Sequence, residues 1–133
     1  YLNYLLASAA RLGVEKRLHI LGIISETEKS WYFENCYAFA SASVSEGFCL
    51  PVTEAMSVGK PLFLSNRTAL PEIGGKVAFY FSDFDGNNMQ NVFLDGMKEY
   101  KTTGLQHEIR KRGAGFCWNK AAKQYIEVYR SLL

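Results

Sequence analysis

The 133 residues are 48% apolar and 14% aromatic, enough for one soluble domain with a sizeable core and far from the composition of a disordered segment. A formal charge of +2, with the basic residues scattered, argues against nucleic acid as a partner. Cys36, Cys49 and Cys117 form no Cys-x-x-Cys pair, and no apolar run approaches the roughly 18 to 20 residues of a membrane span, so neither a disulfide framework, a zinc site nor a spanning helix is expected.

Taken in order, residues 1–12 place apolar side chains at helical spacing, and Gly13 ends that helix. Residues 17–22 read as a short strand, with His19 as a packed wall residue rather than a catalytic base. Ser25 followed by Glu28 has the spacing of a capping box and opens a helix running to Cys36. Residues 37–44, small and aromatic, read as a buried strand. After a bend at Gly47, Pro51 suits the first position of a helix whose Val52, Ala55 and Met56 share one side, and Gly59 with Pro61 stops it. Residues 60–65 form another strand, 66–75 a polar loop with a short helical turn, and 77–81 the last strand, closed by a turn over 82–86. Helices are expected over 87–101, 103–116 and 119–132, with Arg110, Lys111, Arg112, Lys120 and Lys123 on a solvated face. Strands alternating with helices predict an α/β fold: a Rossmann-like three-layer parallel sheet with helices on both faces, as a single domain over residues 1–133.

In such folds ligands gather beyond the carboxyl ends of the strands. The bend at 45–50, the loop at 65–72 and the turn at 82–86 all belong to that edge. No Gly-x-Gly-x-x-Gly and no P-loop is present, which removes the main support for an ordinary dinucleotide or NTPase site. The first-turn amides from Gly47, Phe48, Cys49 and Leu50 suit a diphosphate or sugar hydroxyls. Glu54, one turn on, can accept from a ribose or simply complement the helix dipole, and spacing alone does not choose. Glu46 can sit beside positive charge developing at an anomeric carbon or be a solvated loop carboxylate. Paired carboxylates also raise glycoside hydrolysis, although a Glu on each side of a bend has no special reason to flank one scissile bond. A non-catalytic nucleotide-sugar-binding module is the other alternative.

Several stretches together resemble a known family. These are Leu18-His19-Ile20-Leu21-Gly22, then Ser45-Glu46-Gly47-Phe48-Cys49-Leu50-Pro51 through Glu54-Ala55-Met56, then Leu70-Pro71-Glu72-Ile73-Gly74-Gly75, and finally Phe116-Cys117-Trp118. The chain resembles the C-terminal, donor-binding domain of the retaining GT-B glycosyltransferases of family four, the glycosyl transferases group 1. The resemblance implies transfer of a hexose from a nucleoside diphosphate to an acceptor hydroxyl, without a metal or other cofactor, in polysaccharide or glycolipid synthesis. It casts Glu46 as the catalytic contact to the sugar, the amides of Gly47, Phe48, Cys49 and Leu50 as donor ligands and Glu54 as the ribose ligand. Ser65, Asn66 and Glu72 become neighbours of the nucleotide.

Cys49 departs from the pattern, since the family usually has glycine there; with no histidine near it in sequence it reads as a packed small residue rather than a nucleophile. Arg11 and Lys16 match the spacing of the family's diphosphate-binding Arg and Lys but fall at the wrong end of the sheet, so the match is taken as accidental. The same resemblance makes the chain a piece lacking the N-terminal acceptor domain and the central first strands. It is therefore expected to be inactive alone and to carry sheet edges open to self-association. The implied partners are a nucleotide-sugar donor, that N-terminal domain in cis and a carbohydrate or lipid-linked acceptor. The implied location is the cytoplasm, peripheral to the inner face of the membrane.

Overall fold

A computed structural model describes residues 1–132. In chain order it has α1 (Leu2–Arg11), α2 (Glu26–Asn35), β1 (Phe39–Ser41), α3 (Leu50–Ser57), β2 (Leu62–Ser65) and α4 (Leu70–Gly74), then β3 (Phe79–Phe81), α5 (Gly86–Thr103), α6 (Leu105–Gly113) and α7 (Trp118–Ser131). Single 3-10 turns occupy Glu15–Arg17 and Gly75–Val77. The sheet is parallel throughout, in the order β1-β2-β3, with Phe39 opposite Leu62 and Phe63 opposite Phe79.

Leu62, Phe63, Leu64 and Ser65 of β2 are all buried, as a central strand covered on both faces must be. Leu62 and Leu64 face Val52, Ala55 and Met56 of α3, Leu70 and Ile73 of α4, and Ile109 of α6. Phe63 and Phe81 face α5 through Met97, Val92 and Phe93. This is the expected three-layer α/β architecture. Two glycines let the layers close. A Cβ on Gly96 would lie 2.6 Å from the Phe79 ring and 2.7 Å from Phe63, and one on Gly113 would lie 2.7 Å from the Met56 Cβ.

The helices form for the reasons their sequences give. In α2 the capping box is complete: Ser25 Oγ accepts from the Glu28 N–H at 3.2 Å, and Glu28 Oε2 accepts from the Ser25 N–H at 2.8 Å. Helix α5 starts on Asp85, whose carboxylate accepts from the Asn87 and Asn88 amides. Helix α3 begins at Leu50, so Pro51 is its second residue rather than its first; both positions have a free N–H to lose, and the cost is nil.

Three expectations are corrected. Residues 17–22 are not a strand: Arg17 closes a 3-10 turn, 18–22 are irregular, His19 is exposed, and Ile23 just beyond is fully exposed. An extended segment needs a neighbour to complete its ladder, and the free edge of β1 is not paired with it. Strand β1 is three residues long rather than eight, and none of residues 37–44 is fully buried, because an edge strand is covered on fewer sides and follows β2 only over the register from Phe39 to Ser41. Arg110 and Arg112 are not merely solvated. The Arg110 guanidinium donates to Val58 O at the end of α3 (3.2 Å), and that of Arg112 donates to Ile73 O (2.6 Å) and Glu72 O (2.5 Å) at the end of α4. Both satisfy carbonyls that a helix terminus leaves open.

Candidate donor site

The β1-to-α3 connection lies at the carboxyl edge of the sheet, where a helix start faces whatever sits above the strands. Its backbone is strained. Cys49, the residue before α3, has φ +69° and ψ +71°, and Thr68 in the loop after β2 has φ +47°. These are the two non-glycine residues with positive φ among the described residues, and such strain gathers where surrounding structure fixes a functional conformation. The left-handed conformation at 49 is also why glycine is the easy residue there.

Two straps hold the elbow against β2 and its following loop. The Glu46 N–H donates to Thr68 Oγ1 at 3.0 Å, and Ser65 Oγ donates to Ser43 O at 2.5 Å. Past Glu46 the N–H groups of Gly47, Phe48, Cys49 and Leu50 donate to nothing among the described residues. Four consecutive unclaimed amides at the positive end of a helix form a ready anion and hydroxyl cradle. They open on a cleft of 730 Å³ walled by Gly47, Phe48 and Thr53 on one side and Phe116, Trp118 and Tyr125 on the other. Phe48 meets Phe116 edge to face, with centroids 5.7 Å apart.

The two glutamates stand differently. Glu46 is half-buried and its backbone is pinned, while its carboxylate makes no ion pair among the described residues. Glu54, in the second turn of α3, pairs with Lys29 of α2 at 2.8 Å. Sequence reasoning missed both Thr68 and Lys29. Their partners lie 22 and 25 positions away, and only Glu26 three residues before Lys29 was visible locally.

Of the remaining expected ligands, Ser65 is fully buried and occupied by its bond to Ser43. Asn66 is exposed, with its N–H donating to Phe81 O at 3.3 Å. Glu72 is exposed on α4, and its carbonyl is held by Arg112. Arg11 and Lys16 are exposed in the N-terminal segment.

Burial, reinforced by the nearby Glu46 charge, pushes the Cys49 thiol above its ordinary range, only partly offset by hydrogen bonds with Val52 and Ser41. A raised thiol stays neutral at pH 7, and the neutral thiol is a poor nucleophile. Limited alkylation at pH 7 is therefore expected to modify exposed Cys117 first. Cys49 should catch up only as the pH rises beyond the usual thiol range; peptide mass mapping against pH checks this.

A parallel Rossmann-like sheet with an amide-rich, strained elbow at its carboxyl edge is the class of domain that the GT-B fold uses. The family model of the glycosyl transferases group 1 matches residues 1–77, more than half of the chain, and the chain belongs to that family. It is 28% identical over 120 residues to an O-antigen chain mannosyltransferase B of Escherichia coli, covering 86% of this chain and 30% of that protein. It is also 28% identical over 130 residues to an MMP alpha-(1->4)-mannosyltransferase of Mycolicibacterium hassiacum, covering 93% and 31%. A serotype-specific mannosyltransferase, WbdA, of Escherichia coli is 28% identical over 136 residues, covering 99% and 16%. The chain thus spans a third or less of the length of these relatives. No solved structure matches it significantly. Among the described residues no helix is long and apolar enough to cross a membrane, and no three potential metal ligands gather.

Proposed function

We propose that this chain is the larger part of the donor-substrate domain of a retaining, metal-independent hexosyltransferase, and that mannose is the sugar. The observation that carries the reading is the run of four unclaimed amides from Gly47 to Leu50, set between Glu46 and Glu54 at the start of α3. The mannosyltransferase names of three relatives support the choice of sugar.

In this reading the elbow amides hold the sugar hydroxyls and the diphosphate, and the helix dipole stabilises charge on the departing phosphate. Glu54 accepts from the ribose. Glu46 orients the sugar and supports oxocarbenium-like charge as the bond from the anomeric carbon to phosphate oxygen breaks. The acceptor hydroxyl forms the new bond from the face the diphosphate leaves, and its proton departs with that leaving group. In the same reading, further diphosphate contacts and the acceptor site come from the remainder of the protein, and the reaction is a cytoplasmic one on a carbohydrate or lipid-linked acceptor.

Ligand-observed NMR on the full-length protein with GDP-, UDP- and ADP-hexoses tests the donor assignment. One nucleotide class is expected to show saturation transfer that the matching nucleoside diphosphate displaces, and the transferred sugar should retain its anomeric configuration. Absence of binding to all three classes would remove the donor reading.

A further inference from the structure

Lys29 has two acidic partners that differ in kind. Its Nζ lies 2.8 Å from Glu26 Oε2, one turn back on the same helix, and 2.8 Å from Glu54 Oε1 across the α2–α3 contact. The Glu26 side chain is 87% exposed, so solvent screens that arm. The Glu54 and Lys29 side chains are 36% and 34% exposed, which makes the cross-helix arm the better shielded one. The backbone on both sides is fixed: α2 by its complete capping box from Ser25 to Glu28, immediately before Lys29, and α3 by core residues Val52, Ala55 and Met56.

A carboxylate that receives ribose hydroxyls beside a diphosphate faces an electrostatic conflict. Its charge makes it a good acceptor, and the same charge repels the phosphates a few ångströms away. A lysine bound to one of its oxygens resolves the conflict. The ammonium offsets the charge of Glu54, while the second carboxylate, that of Glu26, is left to solvent; the ammonium also ties Oε1 of Glu54 in place and leaves Oε2 free to accept. A pair one-third exposed contributes little to folding, which leaves its effect on the orientation and charge of Glu54 as the larger consequence.

We propose that Lys29 is the positioning residue of the nucleoside subsite: it orients and neutralises Glu54 so that Glu54 reads a ribose hydroxyl next to the donor diphosphate. The inference rests on the donor reading above and extends it to a residue on a different helix.

The test measures, on the full-length protein, inhibition of transfer by GDP, UDP and ADP, each against its 2′-deoxy counterpart. Wild type is expected to prefer the ribose form, and Glu54→Gln to lose that preference. Lys29→Met should lower the ratio about three- to tenfold, the range of an exposed ion pair up to a charge-assisted hydrogen bond, with KM for the donor rising more than kcat falls. Lys29→Arg should restore it, Glu26→Gln should leave it unchanged, and the Lys29→Met, Glu54→Gln double variant should be no worse than Glu54→Gln. A Lys29→Met protein with normal thermal stability and the wild-type ribose preference, while Glu54→Gln has lost it, overturns the proposal and leaves the donor reading standing. If Glu54→Gln also keeps the preference, the ribose role of Glu54 falls and the proposal falls with it.

Discussion

Glu46→Gln in the full-length transferase is expected to lower kcat about 100-fold or more, the scale of losing one preorganised electrostatic partner in a transition state. Glutamine keeps the size and one acceptor oxygen while replacing the other with an NH2 donor, so the change removes the charge with little change of shape. The residue is suited to such a test because its position does not depend on its carboxylate. The backbone of Glu46 is held by Thr68 Oγ1, and the loop on either side by Ser65 and by the turn into α3. Thermal stability of the variant should stay within about 0.5 kcal/mol of wild type, as for surface substitutions away from packed features. The effect should fall on kcat and kcat/KM together, because the charge at the anomeric carbon exists only in the transition state. Turnover within a few-fold of wild type would remove the catalytic role from Glu46 and leave it a loop carboxylate of an active transferase.

Much of this arrangement was legible in the residues. The alternation of strands and helices, the strand within 60–65, the capping box at Ser25 and the stop at Gly59 each reflect local chemistry, and each recurs in the fold. The elbow was legible because Pro51 after a bend suits a helix start and the apolar spacing of Val52, Ala55 and Met56 supplies the helix. What escaped depends on distant partners. The strand expected over 17–22 failed because strand formation needs a neighbour, which no local propensity supplies. Arg110 and Arg112 looked like surface charge until α6 set them against the ends of α3 and α4. The strain at Cys49 was foreshadowed only by its standing where the family places glycine, and the strain at Thr68 by nothing. Lys29 was invisible because its better-shielded partner sits 25 residues on.

The elbow keeps its shape only while β2 stays put, and β2 is anchored by Phe63. Its ring is fully buried, with centroids 4.8 Å from Phe93, 5.2 Å from Phe79 and 6.4 Å from Phe81. Gly96 brings α5 so near this cluster that no spare volume exists on that side, and a vacated ring cannot be refilled by a small shift of the helix. Phe63→Ala is accordingly expected to cost about 3–5 kcal/mol, against a total stability of roughly 5–15 kcal/mol for a typical domain. Urea unfolding followed by the fluorescence of Trp31 and Trp118 should show the midpoint falling with the slope unchanged. Phe63→Leu, which keeps most of the apolar volume, should lose far less. Because Ser65 and Thr68 follow Phe63 by two and five residues, donor binding by Phe63→Ala should weaken with the folded fraction and recover when low temperature or an osmolyte restores it. A loss below about 1 kcal/mol would mean that the α5 face collapses around the cavity, and that α3, α4 and α6 alone hold the strand beneath the elbow.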